Sequence, residues 1–401
     1  MSRCLVLLLA LALLGGCQSM GAGFSNLVSG TIDLVTGGGE SEEPPRELVA
    51  IAPELRIETV WDDDIGAGDG GYRLALGPAV AGGIVYAADY EGRIAGLRLA
   101  DGEEVLEEAV DLPLSAGPVA TADSLVLGTG EAQVLGLVRE SGKQRWVSQV
   151  SSEVLARPAV ADGIVVVHTN DGAVFALAED SGKPLWSYGK AVSRLSLRGA
   201  AAPVIVDDTV LIGFANGRMA ALRLGDGKLI WERQLAIPSG VSEMERVVDI
   251  NAAPAVRSGM LYATAFHGGV IAASLVDGEV IWRNTDIVAG STPAVTWRYV
   301  FVTDIEGNVW GLDETTGRAY WKQDAFFHRQ VTAPVVYGDW LAVGDYKGYV
   351  HFLAQEDGRQ VGRLRVCRSP IRRPLVVVDD YLIAYASNGD LIVLKAEPIH
   401  E

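Results

Sequence analysis

Five histidines, three cysteines and 51 carboxylates are the side chains of this 401-residue chain that could do chemistry. Metal binding needs several His, Cys or carboxylate ligands at short, regular spacing. His168, His267, His328, His351 and His400 are scattered instead, so each is expected to be a surface or hydrogen-bonded histidine. Nucleophilic and phosphate-binding patterns are missing as well, with no G-x-S-x-G, no H-E-x-x-H and no G-x-x-x-x-G-K-[ST]. The Ser-Gly-Lys at 141–143 and 181–183 reads as a turn between strands. Most carboxylates stand in turn-like stretches, where Asp bonds nearby backbone N–H groups. Cys4, Cys17 and Cys367 contain no C-x-x-C pair and are too few for a disulfide framework. Cys367, alone beyond the first 17 residues, is expected to be a small buried apolar residue. These residues point away from catalysis and from a bound metal or cofactor.

Cys17 is the exception. Arg3 precedes the apolar run Leu5 to Leu14 and then Gly15-Gly16, the layout of a secretory signal over residues 1–16. That run is too short to cross a bilayer, which takes about 20 residues as a helix. Leu14-Gly15-Gly16-Cys17 resembles the bacterial lipobox, and the resemblance implies that Cys17 becomes the acylated first residue of the mature chain. Acyl chains would anchor the protein without a spanning helix. Gln18 follows rather than aspartate, which in such lipoproteins resembles the outer-membrane destination. Residues 17–51, rich in Gly, Ser, Glu and Pro, are expected to form a flexible tether. The formal charge of −18 argues against a nucleic-acid partner, because phosphates need a basic surface.

What positions the remaining side chains is a repeat. Pro78, Pro118, Pro158, Pro203, Pro254, Pro293, Pro334 and Pro374 each open a similar unit, at spacings of 39 to 51 residues. In the third unit, Pro158 begins a short strand that turns at Asp162-Gly163. Ile164 to His168 returns, Asn170-Asp171-Gly172 turns again, and Val174 to Leu177 runs to the turn at Ser181-Gly182, before Pro184 to Trp186. Four short strands at that period signify a β-propeller blade. The eighth unit lacks its fourth strand, and Leu55 to Trp61 at the other end of the chain can supply it. The expected architecture is all-β: an eight-bladed propeller of four-stranded antiparallel blades over residues 52–396, with a tail at 397–401. Trp146, Trp186, Trp231, Trp282 and Trp321 follow the third-turn glycine by four residues, while Leu106 and Gly362 stand there in units one and seven. They could form an aromatic ladder, but packing between neighbouring blades is the expected role.

Two consecutive inter-blade loops are long, 187–202 and 232–253, and irregular insertions on one face mark a binding side. Leu195, Leu197 and Arg198 in the first, opposite the acidic second loop, have the composition of an interface centre with a charged rim.

Gly311-Leu312-Asp313-Glu314-Thr315-Thr316-Gly317-Arg318-Ala319-Tyr320-Trp321 resembles the tryptophan-docking segment of propeller repeats of the pyrroloquinoline-quinone type. Quinoprotein dehydrogenases share that blade, but they carry quinone above calcium, often beside a vicinal disulfide. Adjacent cysteines and a calcium constellation are both missing here. The lipobox, tether, Val60-Trp61 closing strand and Leu195-Ser196-Leu197-Arg198-Gly199 motif are instead similar to the BamB family, propeller lipoproteins of the β-barrel assembly machinery. That resemblance implies a scaffold without cofactor, lipid-anchored to the outer membrane on its periplasmic face. Its partner would be the POTRA domains of BamA, met by Leu195, Leu197, Arg198 and the companion segment with Asp249 and Asn251. The family often has two acidic residues in that segment; Asp249 matches one, and Asn251 departs from the other. Nascent outer-membrane barrel strands are a further expected partner, by addition to an exposed blade edge. A periplasmic quinone-dependent oxidoreductase and a scaffold of another envelope complex are the alternatives.

Overall fold

The computed structural model describes residues 43–189, 199–238 and 247–399. Eight antiparallel blades of the expected kind take in every described strand but Ala75–Leu76, which adds to blade two in parallel beside Leu114–Ala120. In blade three, Ala159–Ala161 pairs with Ile164–His168, that strand with Val174–Ala178, and the last with Pro184–Tyr188. The first hairpin needs positive φ at two positions, supplied by Asp162 (49°) and Gly163 (73°). The two middle strands are buried almost throughout, which is why they read as apolar runs and not as alternation. Blades one to seven cover 79–109, 114–149, 159–188, 204–234, 255–284, 294–323 and 335–365.

Blade eight takes Val376–Val378, Tyr381–Tyr385 and Asp390–Pro398 from the end of the chain and Leu55–Asp64 from its beginning. The last two pair from Leu55 opposite Pro398 to Asp64 opposite Asp390, with a bulge between Thr59 and Trp61. Tyr385 Oη donates to the carbonyl of Ala88 at 3.0 Å, and Ile383 and Val393 share one buried cluster with Val85 and Leu97. Blade eight therefore packs on blade one and the ring closes, leaving no open sheet face at either end.

The tryptophans join neighbours. Trp146 donates Nε1 to the carbonyl of Glu179 (2.7 Å), Trp186 to Leu224 (2.7 Å) and Trp231 to Leu275 (3.0 Å). Trp282 does so to Glu314 (2.9 Å), Trp321 to Gln355 (2.9 Å) and Trp61 to Leu99 (2.8 Å). Each acceptor opens the third turn of the next blade, and the indole lies on that turn's glycine. A Cβ at Gly182 would come within 2.5 Å of Trp146, and one at Gly102 within 2.8 Å of Trp61. Glycine is needed there for close approach as well as for its positive φ. Leu106 meets Gly142 in the same manner, and at Gly362 the space is filled by Leu55 and Ile57 of the closing strand. Blade eight has no third turn for a tryptophan to sit on, so none is present.

Two features differ from the sequence expectation. Pro118 does not open its strand, which runs Leu114–Ala120 with a register shift between Ala116 and Val119. Gly117, at φ 101°, bends the chain there so that the proline stays out of the ladder. Residues 46–51, expected in the tether, lie instead on blades six and seven. Arg46 N donates to Phe327 O (3.0 Å), its guanidinium pairs with Asp324 (2.9 Å), and Leu48 packs beside Phe301 and Trp321. The folded unit accordingly begins at Pro45.

Candidate docking face

Every blade presents its second turn beside the preceding inter-blade loop. Asn170 N donates to Glu153 O, Ile305 N to Val288 O and Tyr346 N to Arg329 O. First and third turns share the opposite face, joined by bonds such as Glu179 N to Gly163 O. Of the residues singled out for binding, Leu195, Leu197 and Arg198 lie outside the described residues, as does the lipidation candidate Cys17. The structure does describe the stems that carry the two long loops.

The first stem is held by blade three. Gly199 N donates to Asn170 Oδ1 (3.1 Å), and His168 Nδ1 bonds the carbonyl of Ala201 (2.9 Å). A carbonyl can only accept, so Nδ1 carries the proton. Burial pushes the His168 pKa below the usual histidine value, which keeps the ring neutral. The second stem is held by Asp249, which is 3 % exposed. Its Oδ1 accepts from Asn216 N (2.9 Å) in blade four, and its own carbonyl accepts from Phe266 N (3.0 Å) in blade five. Val248 and Ile250 on either side are fully buried, and Asn251 is half-buried.

The sequence reading missed why that carboxylate is needed. In blades one, two, six and seven the second turn carries its own acceptor at the end of the second strand or just after it, whereas blade eight has Ala386 at that place. Asp345 Oδ1 takes the N–H groups of Lys347 and Tyr349, Asp304 those of Glu306 and Asn308, and Thr129 Oγ1 those of Glu131 and Gln133. Strand pairing puts Phe214 at that place in blade four and Ala265 in blade five. Neither can accept a side-chain bond, and Asp249 supplies one to blade four's turn from the loop between them. Phe214 turns instead to the ring of His168 (centroids 5.4 Å) and to Tyr188 (6.3 Å), while its carbonyl accepts from Ile250 N (3.2 Å). It therefore touches both stems. Aligning the units on this position rather than on glycine exposes the break. In blade five the positive φ also moves off Gly268, to His267 (54°) and Gly269 (85°).

One buried cluster has the look of an active site. Arg329 Nε and His351 Nε2 both lie 3.0 Å from Asp345 Oδ2. Burial lowers the His351 pKa; for Asp345, burial is outweighed by its bonds to His351, backbone N–H groups and Arg329, so it stays charged. Both side chains are fully buried, and Arg329 also donates to Arg46 O at 3.2 Å. The cluster fixes the second turn of blade seven to the strap at Arg46. Burial pushes the Cys367 thiol up to about 11, so it is protonated and unreactive at neutral pH. Among the described residues no three His, Cys, Asp or Glu converge to hold a metal. No helix among them is long and apolar enough to cross a membrane.

Residues 108–323 match the family model described as outer membrane protein assembly factor BamB. A protein of that name from Alkalilimnicola ehrlichii is 43 % identical over 90 % of this chain and 94 % of its own length. The chain belongs to the BamB family. A solved structure of BamB from Moraxella catarrhalis superposes with a TM-score of 0.77 at 26 % identity, over 85 % of this chain and 100 % of that one. A quinohemoprotein alcohol dehydrogenase from Comamonas testosteroni also superposes, with a TM-score of 0.63 at 10 % identity over 84 % of this chain and 76 % of its own. At that identity the likeness is one of fold alone. BamB relatives match this chain in sequence over most of its length, the dehydrogenase in fold alone.

Proposed function

We propose that this chain is a non-enzymatic scaffold that assists assembly of β-barrel proteins into the outer membrane. On this reading it is anchored through a lipid on Cys17 at the periplasmic face and docks on the POTRA domains of BamA. The observation that carries the reading is the pair of long consecutive loops on the second-turn face, whose stems are tied together through Asp249 and Phe214. Such a base fixes where the two loops leave the ring, which lowers the ordering cost of binding. Leu195 and Leu197 supply apolar contact, Arg198 a charge-assisted hydrogen bond. Asp249 contributes from beneath, by shaping the loop. Family membership supports the assembly role, because relatives over nearly the same length bear that name.

A strain deprived of this chain is the test. The expected result is a lowered content of barrel proteins in its outer membrane, restored by the natural chain and not by an equally abundant Leu197→Glu variant. Normal barrel content without the chain would overturn the role; full rescue by Leu197→Glu would overturn the loop assignment.

A further inference from the structure

The face formed by first and third turns is acidic through most of the ring, with Asp123, Asp162, Asp208 and Asp379 in first turns alone. Blades five and six keep carboxylates in their third turns, at Asp277, Asp313 and Glu314, and depart only in their first turns. Their first turns carry Arg257 and the pair Trp297-Arg298. Trp297 is 75 % exposed, and Val276 in the neighbouring third turn is 80 % exposed. Arg257 and Arg298 are both exposed, and neither makes an ion pair among the described residues, in a chain with 51 carboxylates.

The support beneath them is rigid. Arg298 lies over the rings of Tyr299 (5.2 Å) and Tyr320 (5.6 Å), which fix its guanidinium at the surface. Tyr320 is held by a hydrogen bond to Asp313, and Glu314 N donates to Arg298 O at 3.1 Å. Across the blade boundary, Tyr262 Oη and Trp282 Nε1 both bond Glu314, the first to its carboxylate and the second to its carbonyl. The inner strands Ala255–Arg257 and Ala294–Val295 that lead into the two turns are neighbours.

We propose that Arg257, Trp297 and Arg298 form a second docking site, for a short extended peptide that carries an aromatic residue beside one or two carboxylates. Trp, Tyr and Arg are the side chains that dominate binding energy at interfaces, and an indole offers about 150–250 Å² of apolar surface to cover. Two unpaired guanidiniums select carboxylates next to that apolar contact. The surrounding acidic turns limit how many: a polyanion is repelled by the face as a whole, so a strand of nucleic acid or an anionic lipid surface does not fit. The site lies on the opposite face from the long loops and stands independently of their partner.

The test is fluorescence anisotropy of a fluorescein-labelled hexapeptide, Gly-Ser-Asp-Phe-Asp-Gly, titrated with the full chain in detergent. Saturable binding is expected, at least tenfold weaker for Trp297→Ala and for the Arg257→Glu, Arg298→Glu double variant. A peptide with lysines in place of both aspartates is expected to bind at least tenfold more weakly. All three positions are exposed, so the fold survives, and circular dichroism checks that it does. No saturable binding, undiminished binding by the variants, or equal binding of the lysine peptide would each overturn the proposal. So would self-association of the natural chain that Trp297→Ala abolishes, since it would assign the patch to a second copy.

Discussion

Six blade junctions are closed by one device, an indole bonded to a carbonyl and pressed on the glycine of the next third turn. On the other face, the junction of blades three, four and five is closed by Phe214, in place of a polar turn residue, and by Asp249 reaching back from a loop. The first device needs only the repeat and serves to hold the ring together. The second departs from the repeat, and it does so beneath the two loops whose length also departs. Regularity marks the parts that hold the ring together, and the local break with a compensating contact lies at the face proposed to meet a partner.

The largest effect is expected at the tryptophans. Trp282→Ala removes a buried indole and its bond to Glu314, and should destabilise the propeller by about 3–5 kcal/mol, measured as a lower urea midpoint. A change no larger than that of a surface substitution would break the comparison from the structural side. Next come Leu197→Glu and Arg198→Glu, expected to leave the urea midpoint unchanged and to weaken BamA binding by about 2 kcal/mol or more, roughly thirtyfold. Loss of folding in either variant would place these residues with the structural set.

Asp249→Ala should show both effects at smaller size, because it joins the two regions. Leaving Asn216 N without its acceptor costs about 1–3 kcal/mol of stability, and binding weakens through the displaced loop. A variant that loses stability but binds as before would detach Asp249 from the docking site.

The smallest effect is a pH dependence. His168 and His351 have native pKa values pushed down by burial, so the unfolded chain takes up protons that the native chain does not. Their contribution is undiminished above the unfolded histidine value near ~6.5 and declines as pH falls below it, by at most about 1.4 kcal/mol per pH unit for each. His168→Thr copies Thr264 and Thr303, which occupy the same place in blades five and six and donate to Ser291 O and Thr332 O. It should reduce the slope of stability between pH 6.5 and 5. An unchanged slope would mean that His168 titrates alike in both states.

Most of the ring was legible because its determinants are local and repeated. Glycine spacing set the turns, apolar runs the buried strands, and the missing fourth strand of the last unit pointed to Leu55. The unit opened by Pro118 misled at its start, since a proline can sit inside a strand wherever the register slips, and only the bend at Gly117 reveals the slip. The strap from Arg46 was illegible for a different reason. Its contacts with Phe327 and Asp324 are separated from it by most of the chain, and its Gly- and Pro-rich approach resembles a linker. At the candidate docking face, loop length and composition pointed to the blades flanking Phe214 and Asp249. The inward task of Asp249 was hidden because it depends on what Phe214 lacks.

The central claim is that the long-loop face binds BamA. It is tested most directly by calorimetric titration of the full chain, in detergent, against purified POTRA domains of BamA from the same organism. The account predicts saturable binding that Leu197→Glu and Arg198→Glu each weaken at least thirtyfold while their urea midpoints stay unchanged. Absence of binding by a chain shown to be folded, or undiminished binding by both variants, would contradict it.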